Sequence, residues 1–229
     1  MKKRGTPQGR VAKIERSTKE VSIQGRLNLD GKGNFSVSTG IRFLDHMLEL
    51  FAKHGLFDLV LKAKGDLDVD LHHTNEDVGL ALGEAFRTAL GKKKGIRRFG
   101  AGHESESKAG KPSAKAVYVP MDESLARVVV DISGRPHFQW DWSAQKREAI
   151  FRRGKNDSAR IPYGVEDAKH FLESFARRAE VTLHVDVLKA GLDIHHVLEA
   201  VFKAFGLALR QAVEIDSRVK GVPSTKGKL

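Results

Sequence analysis

Apolar and polar residues alternate at Val21, Ile23, Leu27 and Leu29, and again at Phe35 and Val37 beyond the turn sequence Asp30-Gly31-Lys32-Gly33. Period-two alternation on both sides of a glycine-rich turn predicts two strands joined as a hairpin. Leu44, Met47, Leu48 and Phe51 then recur at helical spacing, predicting a helix over 42–53; residues 57–64 alternate like a strand, and 74–90 form an amphipathic helix. The second half repeats the series. It predicts a strand at 125–132, a turn at Ser133-Gly134-Arg135-Pro136, a partner strand at 138–142, a helix at 168–178, a strand at 181–188 and a helix at 197–213. Sheets backed by helices, twice over, predict an α+β fold: an internally duplicated half-domain, each copy a small mixed sheet backed by two helices. The halves are 1–99 and 116–229, with an inserted loop at 100–115. Residues 100–113, rich in Gly, Ser, Lys and Glu, and the strongly basic 146–160 read as exposed, disorder-prone loops.

The duplication extends to individual side chains. Residues 46–52 and 170–176 both read His-x-Leu-Glu-x-Phe-Ala, and each is followed by His-His-x-x-Glu, at His72-His73-Thr74-Asn75-Glu76 and His195-His196-Val197-Leu198-Glu199. Both copies continue Ala-x-Gly-x-Ala-x-Arg-x-Ala, from Ala81 and from Ala204. Shared core packing accounts for Leu48, Phe51, Leu172, Phe175, Gly83 and Gly206. It gives no reason to repeat three imidazoles and a carboxylate. On a helix, the first His and the Glu stand at i and i+4 and can grip one ion, whereas the middle His lies about 100° further round and suits a second ion. Six imidazoles and two carboxylates are enough for two ions related by a pseudo-two-fold. Nitrogen-rich shells suit Mn, Fe, Ni, Co or Zn rather than Mg or Ca. Three imidazoles and one carboxylate leave two positions open on a six-coordinate ion, as catalysis requires.

Composition narrows the chemistry. The 229 residues are 40% hydrophobic, enough for one sound core or two fused halves. With no cysteine, disulfides and thiolate ligation are excluded. Met1-Lys2-Lys3-Arg4 is followed by no apolar leader, and no apolar run approaches membrane-spanning length, so a soluble cytoplasmic protein is expected. The net charge of +11 suits an anionic small substrate as well as nucleic acid. The cations are dispersed or placed in loops such as Lys92-Lys93-Lys94 and Arg152-Arg153, without interleaved aromatics, so a solvated basic surface is the expectation and a nucleic-acid partner is not. Two rival functions remain: a dinuclear metallohydrolase acting on a phosphorylated small molecule, and a non-enzymatic basic nucleic-acid-binding protein.

The segments Phe43-Leu44-Asp45-His46-Met47-Leu48, His54-Gly55-Leu56-Phe57-Asp58, His72-His73-Thr74-x-Glu76-Asp77-Val78, Phe202-Lys203-Ala204, Ala208-Leu209-Arg210-Gln211-Ala212 and Pro223-Ser224-Thr225-Lys226-Gly227 resemble the imidazoleglycerol-phosphate dehydratase family of histidine biosynthesis. The likeness runs from about Ile14 to the end, with no length for the phosphatase domain fused to some bacterial relatives. It implies a monofunctional hydro-lyase with two manganese ions, one held by His72, Glu76, His170 and His196, the other by His46, His73, His195 and Glu199. It further implies that Arg98, Arg135, Lys203, Ser224, Thr225 and Lys226 bind the phosphorylated imidazole substrate, with guanidinium, ammonium and hydroxyl groups at its phosphate. Glu20 corresponds to the family's acid–base group and also contacts substrate. The expected assembly is a homo-oligomer of 24 subunits built from trimers. The implied reaction expels a hydroxyl with electrons from a metal-held imidazolate, through a diazafulvene, to imidazole-acetol phosphate. It involves no redox change, and no dinucleotide fingerprint is present. The chain departs from the family pattern at 101–115, at Gly191-Leu192-Asp193-Ile194 and in the longer, more basic 146–160.

Overall fold

The structure, a computed structural model, describes residues 9–100, 118–142, 163–191 and 193–229. Most of the two predicted loops, including Arg152 and Arg153, lies outside the described residues. The first sheet is built from β1 (Val11–Ser17), β2 (Val21–Asn28), β3 (Phe35–Ser38) and β4 (Asp58–Gly65), in the order β1-β2-β4-β3. The second contains β5 (Phe99–Gly100), β6 (Tyr118–Met121), β7 (Ser124–Asp131), β8 (His137–Asp141) and β9 (Thr182–Lys189). Its order is β5-β7-β9-β8, with β6 also paired to β7. Helices α1 (Arg42–Gly55) and α2 (Leu71–Leu90) back the first sheet, and α3 (Val165–Ala179) and α4 (Ile194–Val213) the second. The helices then meet across the duplication, α1 on α4 and α2 on α3, so both halves share one hydrophobic core. The fold is α+β with mixed sheets, as the pattern predicts.

Strand pairing differs from the sequence reading in the same way in both halves. β2 and β3 form no hairpin: β4 lies between them, antiparallel to β2 and parallel to β3. Likewise β8 pairs in parallel with β9 and not with β7. The intervening strands carry the apolar faces that profit most from two neighbours, Leu59, Leu61 and Ala63 in β4 and Leu183, Val185 and Val187 in β9, all buried. The 30–34 turn is tied to β4 instead of closing a hairpin. The Asp58 carboxylate accepts from the backbone N–H of Lys32 at 2.9 Å and of Asn34 at 3.0 Å. β1, for which the sequence reading has no strand, alternates through only two buried residues, Ala12 and Ile14.

Phe51, Phe205 and Phe175 run in series through the helix layer, the first two stacked and the last edge-on to Phe205, with ring centroids 5.2 and 5.0 Å apart, linking α1, α4 and α3. The repeated glycines have the structural role expected of them. A Cβ on Gly83 would lie 2.5 Å from the Phe175 carbonyl oxygen, and one on Gly206 2.6 Å from that of Phe51. Each glycine therefore lets its helix approach the other half's repeated Phe.

One predicted surface cation is not on the surface. Lys93 is 7% exposed, just past the end of α2, with backbone φ of 52° and Nζ 4.0 Å from Glu180. Burial pushes its amine below the usual lysine range. Its aliphatic stem packs inward because the left-handed turn reverses the chain there.

Candidate active site

Both His-His pairs lie in the first turn of a helix, three residues earlier than the apolar pattern places its start. The reason is a cap: Asp70 accepts from His72 N–H at 3.0 Å and Asp193 from His195 N–H at 2.8 Å. An aspartate ahead of the histidines is a readable N-cap signal. On α1, the buried Asp45 accepts both the N–H and the hydroxyl of Thr39 at 2.7 Å, fixing the turn that carries His46.

The cross-packing of helices brings candidate ligands from the two halves together. His46 of α1 meets α4, where His46 Nε2 and His195 Nε2 each lie 2.9 Å from Glu199 Oε1. One ligand atom from each of the three residues falls within 4.8 Å of the others. Phe43 walls this triad, its ring edge-on to His195 with centroids 5.1 Å apart. The matching set lies between α2 and α3, where His72 and His170 have ring centroids 4.9 Å apart and His72 Nε2 is 3.6 Å from Glu76 Oε2. The intervening histidines join neither set within the chain. His73 Nδ1 lies 3.0 Å from Asp66 and 3.9 Å from Glu20; His196 Nδ1 lies 3.0 Å from Glu123. Of the two implied four-ligand sets, one has three members together in the chain, His46, His195 and Glu199, and in the other His72 lies near both His170 and Glu76.

Lys203, expected at the substrate's anionic end, donates to Glu199 Oε2 at 2.5 Å and lies 3.2 Å from Met121 Sδ. Burial alone would push the Glu199 carboxyl up, but the Lys203 ammonium and the two imidazoles outweigh it and hold the group at about 2. Glu20 stands half-exposed in the turn between β1 and β2. Sequence reasoning missed the buried Asn75, which accepts from the Tyr163 hydroxyl at 3.0 Å and donates to the Asp167 carbonyl at 2.8 Å, joining the His72 turn to α3. Its position inside the His-His-x-x-Glu motif was the available signal.

The remaining substrate-binding candidates gather elsewhere. Arg98 clasps Asp131 through Nε at 2.7 Å and Nη2 at 3.0 Å, and its Nη1 donates to the Pro223 carbonyl at 2.9 Å, anchoring the tail just before Ser224. Arg135 is exposed, and Leu229 packs against the neighbouring Gly134. Ser224 Oγ accepts from Lys226 N–H at 3.2 Å, with Thr225 exposed between them. This basic cluster is linked to the far end of α4, since Arg98 N–H donates to the Ala212 carbonyl. From His195 to Ala212 the helix rises about 25 Å. The Arg98 backbone therefore stands at the opposite end of α4 from the same chain's His195 and Glu199.

Comparison with known proteins places this arrangement. A family model described as imidazoleglycerol-phosphate dehydratase matches residues 39–209. The imidazoleglycerol-phosphate dehydratase of Thermoanaerobacter pseudethanolicus is 49% identical, covering 95% of this chain and 98% of its own. That of Geobacillus kaustophilus is 48% identical, covering 96% and 99%. Among solved structures, the Staphylococcus aureus enzyme has a TM-score of 0.68 at 30% identity, covering 90% of this chain and 99% of its own. The Pyrococcus furiosus protein has a TM-score of 0.69 at 32% identity, covering 94% and 100%. With the duplicated ligand register, the cross-packed helices and nearly full-length similarity in agreement, the chain belongs to the imidazoleglycerol-phosphate dehydratase family of hydro-lyases.

Proposed function

We propose that this chain dehydrates imidazoleglycerol phosphate to imidazole-acetol phosphate in the cytoplasm, using two manganese ions. The observation that carries the reading is the convergence of His46, His195 and Glu199, with His72 close to both His170 and Glu76 in the other half. Imidazole and carboxylate donors without sulfur fit manganese, and three from one chain leave room for a further protein ligand and for substrate. Held by these residues, the ions would supply Lewis-acid stabilisation of negative charge on the substrate's ring, which would assist loss of the hydroxyl. Glu20 removes the proton from the neighbouring carbon, for which a carboxylate beside the His73 end of the site is suited. Ser224, Lys226 and Arg135 hold the phosphate, and Arg98 keeps their tail in place. Lys203 keeps Glu199 ionised and ready to serve as a ligand.

Assembly follows from incompleteness. Each ligand set has a member that points away, and the basic cluster lies about 25 Å along α4 from the triad, so one site needs several copies. This supports a homo-oligomer with sites shared between copies, and the arrangement we propose is a 24-subunit shell built from trimers, with metal at the joins. The test combines metal analysis with a dehydratase assay. About two manganese ions per chain are expected, together with a ketone product. Glu20→Gln should retain both ions and substrate but lose roughly two to four decades in turnover. Release of inorganic phosphate would support the hydrolase reading, and wild-type turnover in Glu20→Gln would remove that residue from the mechanism.

A further inference from the structure

His73 and His196 share a feature that the ligand register does not contain. Each presents Nδ1, not Nε2, to a carboxylate oxygen: Asp66 Oδ2 at 3.0 Å and Glu123 Oε2 at 3.0 Å. A carboxylate at that distance accepts the Nδ1 proton, which fixes the neutral tautomer with its lone pair on Nε2 and locks the ring's direction. His196 Nε2 itself lies 3.7 Å from Asp122 and 3.9 Å from Asp193, beyond hydrogen-bond reach. Nε2 is also the atom that His46 and His195 direct at Glu199.

The two supporting carboxylates come from different places in the duplicated fold. Asp66 directly follows β4, whereas β9, the matching strand, ends at Lys189 and leads into Ala190. The second half has no acid there and uses Glu123, from the turn between β6 and β7. That is the position Glu20 holds in the first half, since Glu20 immediately precedes β2 as Glu123 precedes β7. Glu20 stays 3.9 Å from His73 Nδ1 because Asp66 already occupies the hydrogen bond. Among the described residues Asp66 makes its side-chain hydrogen bond through Oδ2 to His73, and its Oδ1 is buried with no hydrogen-bond partner.

We propose that Asp66 and Glu123 are positioning residues that hold His73 and His196 with Nε2 outward as metal ligands, and that Asp66, by taking this role, leaves Glu20 available for proton transfer. The inference rests on the two-manganese reading and explains why two equivalent carboxylates yield one acid–base group.

The test is manganese binding to the full-length protein after chelation and reloading, with free Mn(II) followed by electron paramagnetic resonance and melting curves recorded on the chelated protein. In Asp66→Leu and in Glu123→Leu, one of the two ions per chain should bind about 10- to 100-fold more weakly, the usual effect of losing a carboxylate behind a ligating histidine. Asp66→Asn should lose less, because an amide oxygen still accepts the Nδ1 proton. Melting of the chelated protein should be unchanged. Since Glu20 becomes the nearest acceptor for His73 in Asp66→Leu, kcat at saturating manganese should also fall. Unchanged affinities in the variants, beside a wild type that binds two ions tightly, would overturn this inference alone, as would lower chelated stability with normal affinity. Full recovery of kcat in Asp66→Leu would remove the part concerning Glu20. A wild type that takes up no manganese would overturn the metal reading and this inference with it.

Discussion

Glu76 and Glu199 hold the same place in the same motif, yet they occupy different surroundings. Glu199 is 8% exposed, and one helical turn later Lys203 reaches back to it. Glu76 is more open, has Leu80 at the corresponding position, and meets Arg177 of α3 at 2.9 Å on the surface. The Glu199 triad is drawn together, with both imidazoles at 2.9 Å, whereas His72 and Glu76 stand 3.6 Å apart. Duplication has kept the donors and left each half to find its own counter-charge. The reason is that a buried carboxylate needs an adjacent cation, while an exposed one is compensated by water.

The most severe way to break the comparison is to remove one histidine from each half. His72→Ala and His196→Ala lie in different copies but are assigned to one ion. Both are therefore expected to empty the same site and reduce turnover to background, measured by metal content and dehydratase assay. Full manganese occupancy and rate in His196→Ala would break the assignment.

Packing should show more symmetry than charge does. Gly83→Ala and Gly206→Ala each drive a methyl against a backbone carbonyl of the opposite half. Each should destabilise by about 1–3 kcal/mol in denaturant unfolding of the chelated protein. A large difference between the two would mean that the helix layer is not the mirrored arrangement described.

The charge asymmetry itself is sharpened by acid. Because the folded Glu199 carboxyl is held at about 2, below its ordinary 4.5, its contribution to stability is complete above pH 4.5 and is lost as pH falls through about 2. Lys203→Met removes the principal opposing cation, so the acid-unfolding midpoint of the chelated protein should move to higher pH. The smallest effect is expected at the other glutamate. Arg177→Ala breaks an exposed ion pair and should cost no more than about 1 kcal/mol, vanishing in high salt. An acid midpoint displaced equally by both variants would abolish the distinction between the two glutamates.

The candidate ligands were legible in the sequence because they are a local pattern repeated. Spacing of i and i+4 within one helix puts His72 with Glu76 and His195 with Glu199 whatever the rest of the chain does, and the recurrence exposed His46 and His170. The caps at Asp70 and Asp193 were equally local, but the apolar pattern begins after them and drew the helix starts too late. Lys203 illustrates the opposite case. A cation four residues after Glu199 can form a helical ion pair, and the burial that holds this pair close is not written in the spacing.

By itself, then, the sequence determined the α+β class, the duplication, most helices and strands, and the repeated set of candidate metal-binding side chains, since all of these follow from short-range periodicity and repeated register. Tertiary structure alone decided that β4 and β9 insert between strands that look like hairpins, that Lys93 is buried, and that His46 meets Glu199 across 153 residues of chain. It also decided that His73 and His196 turn to Asp66 and Glu123. Those outcomes depend on which apolar faces cover one another when the two halves share a core, and that competition involves residues too distant in sequence for any local pattern to encode.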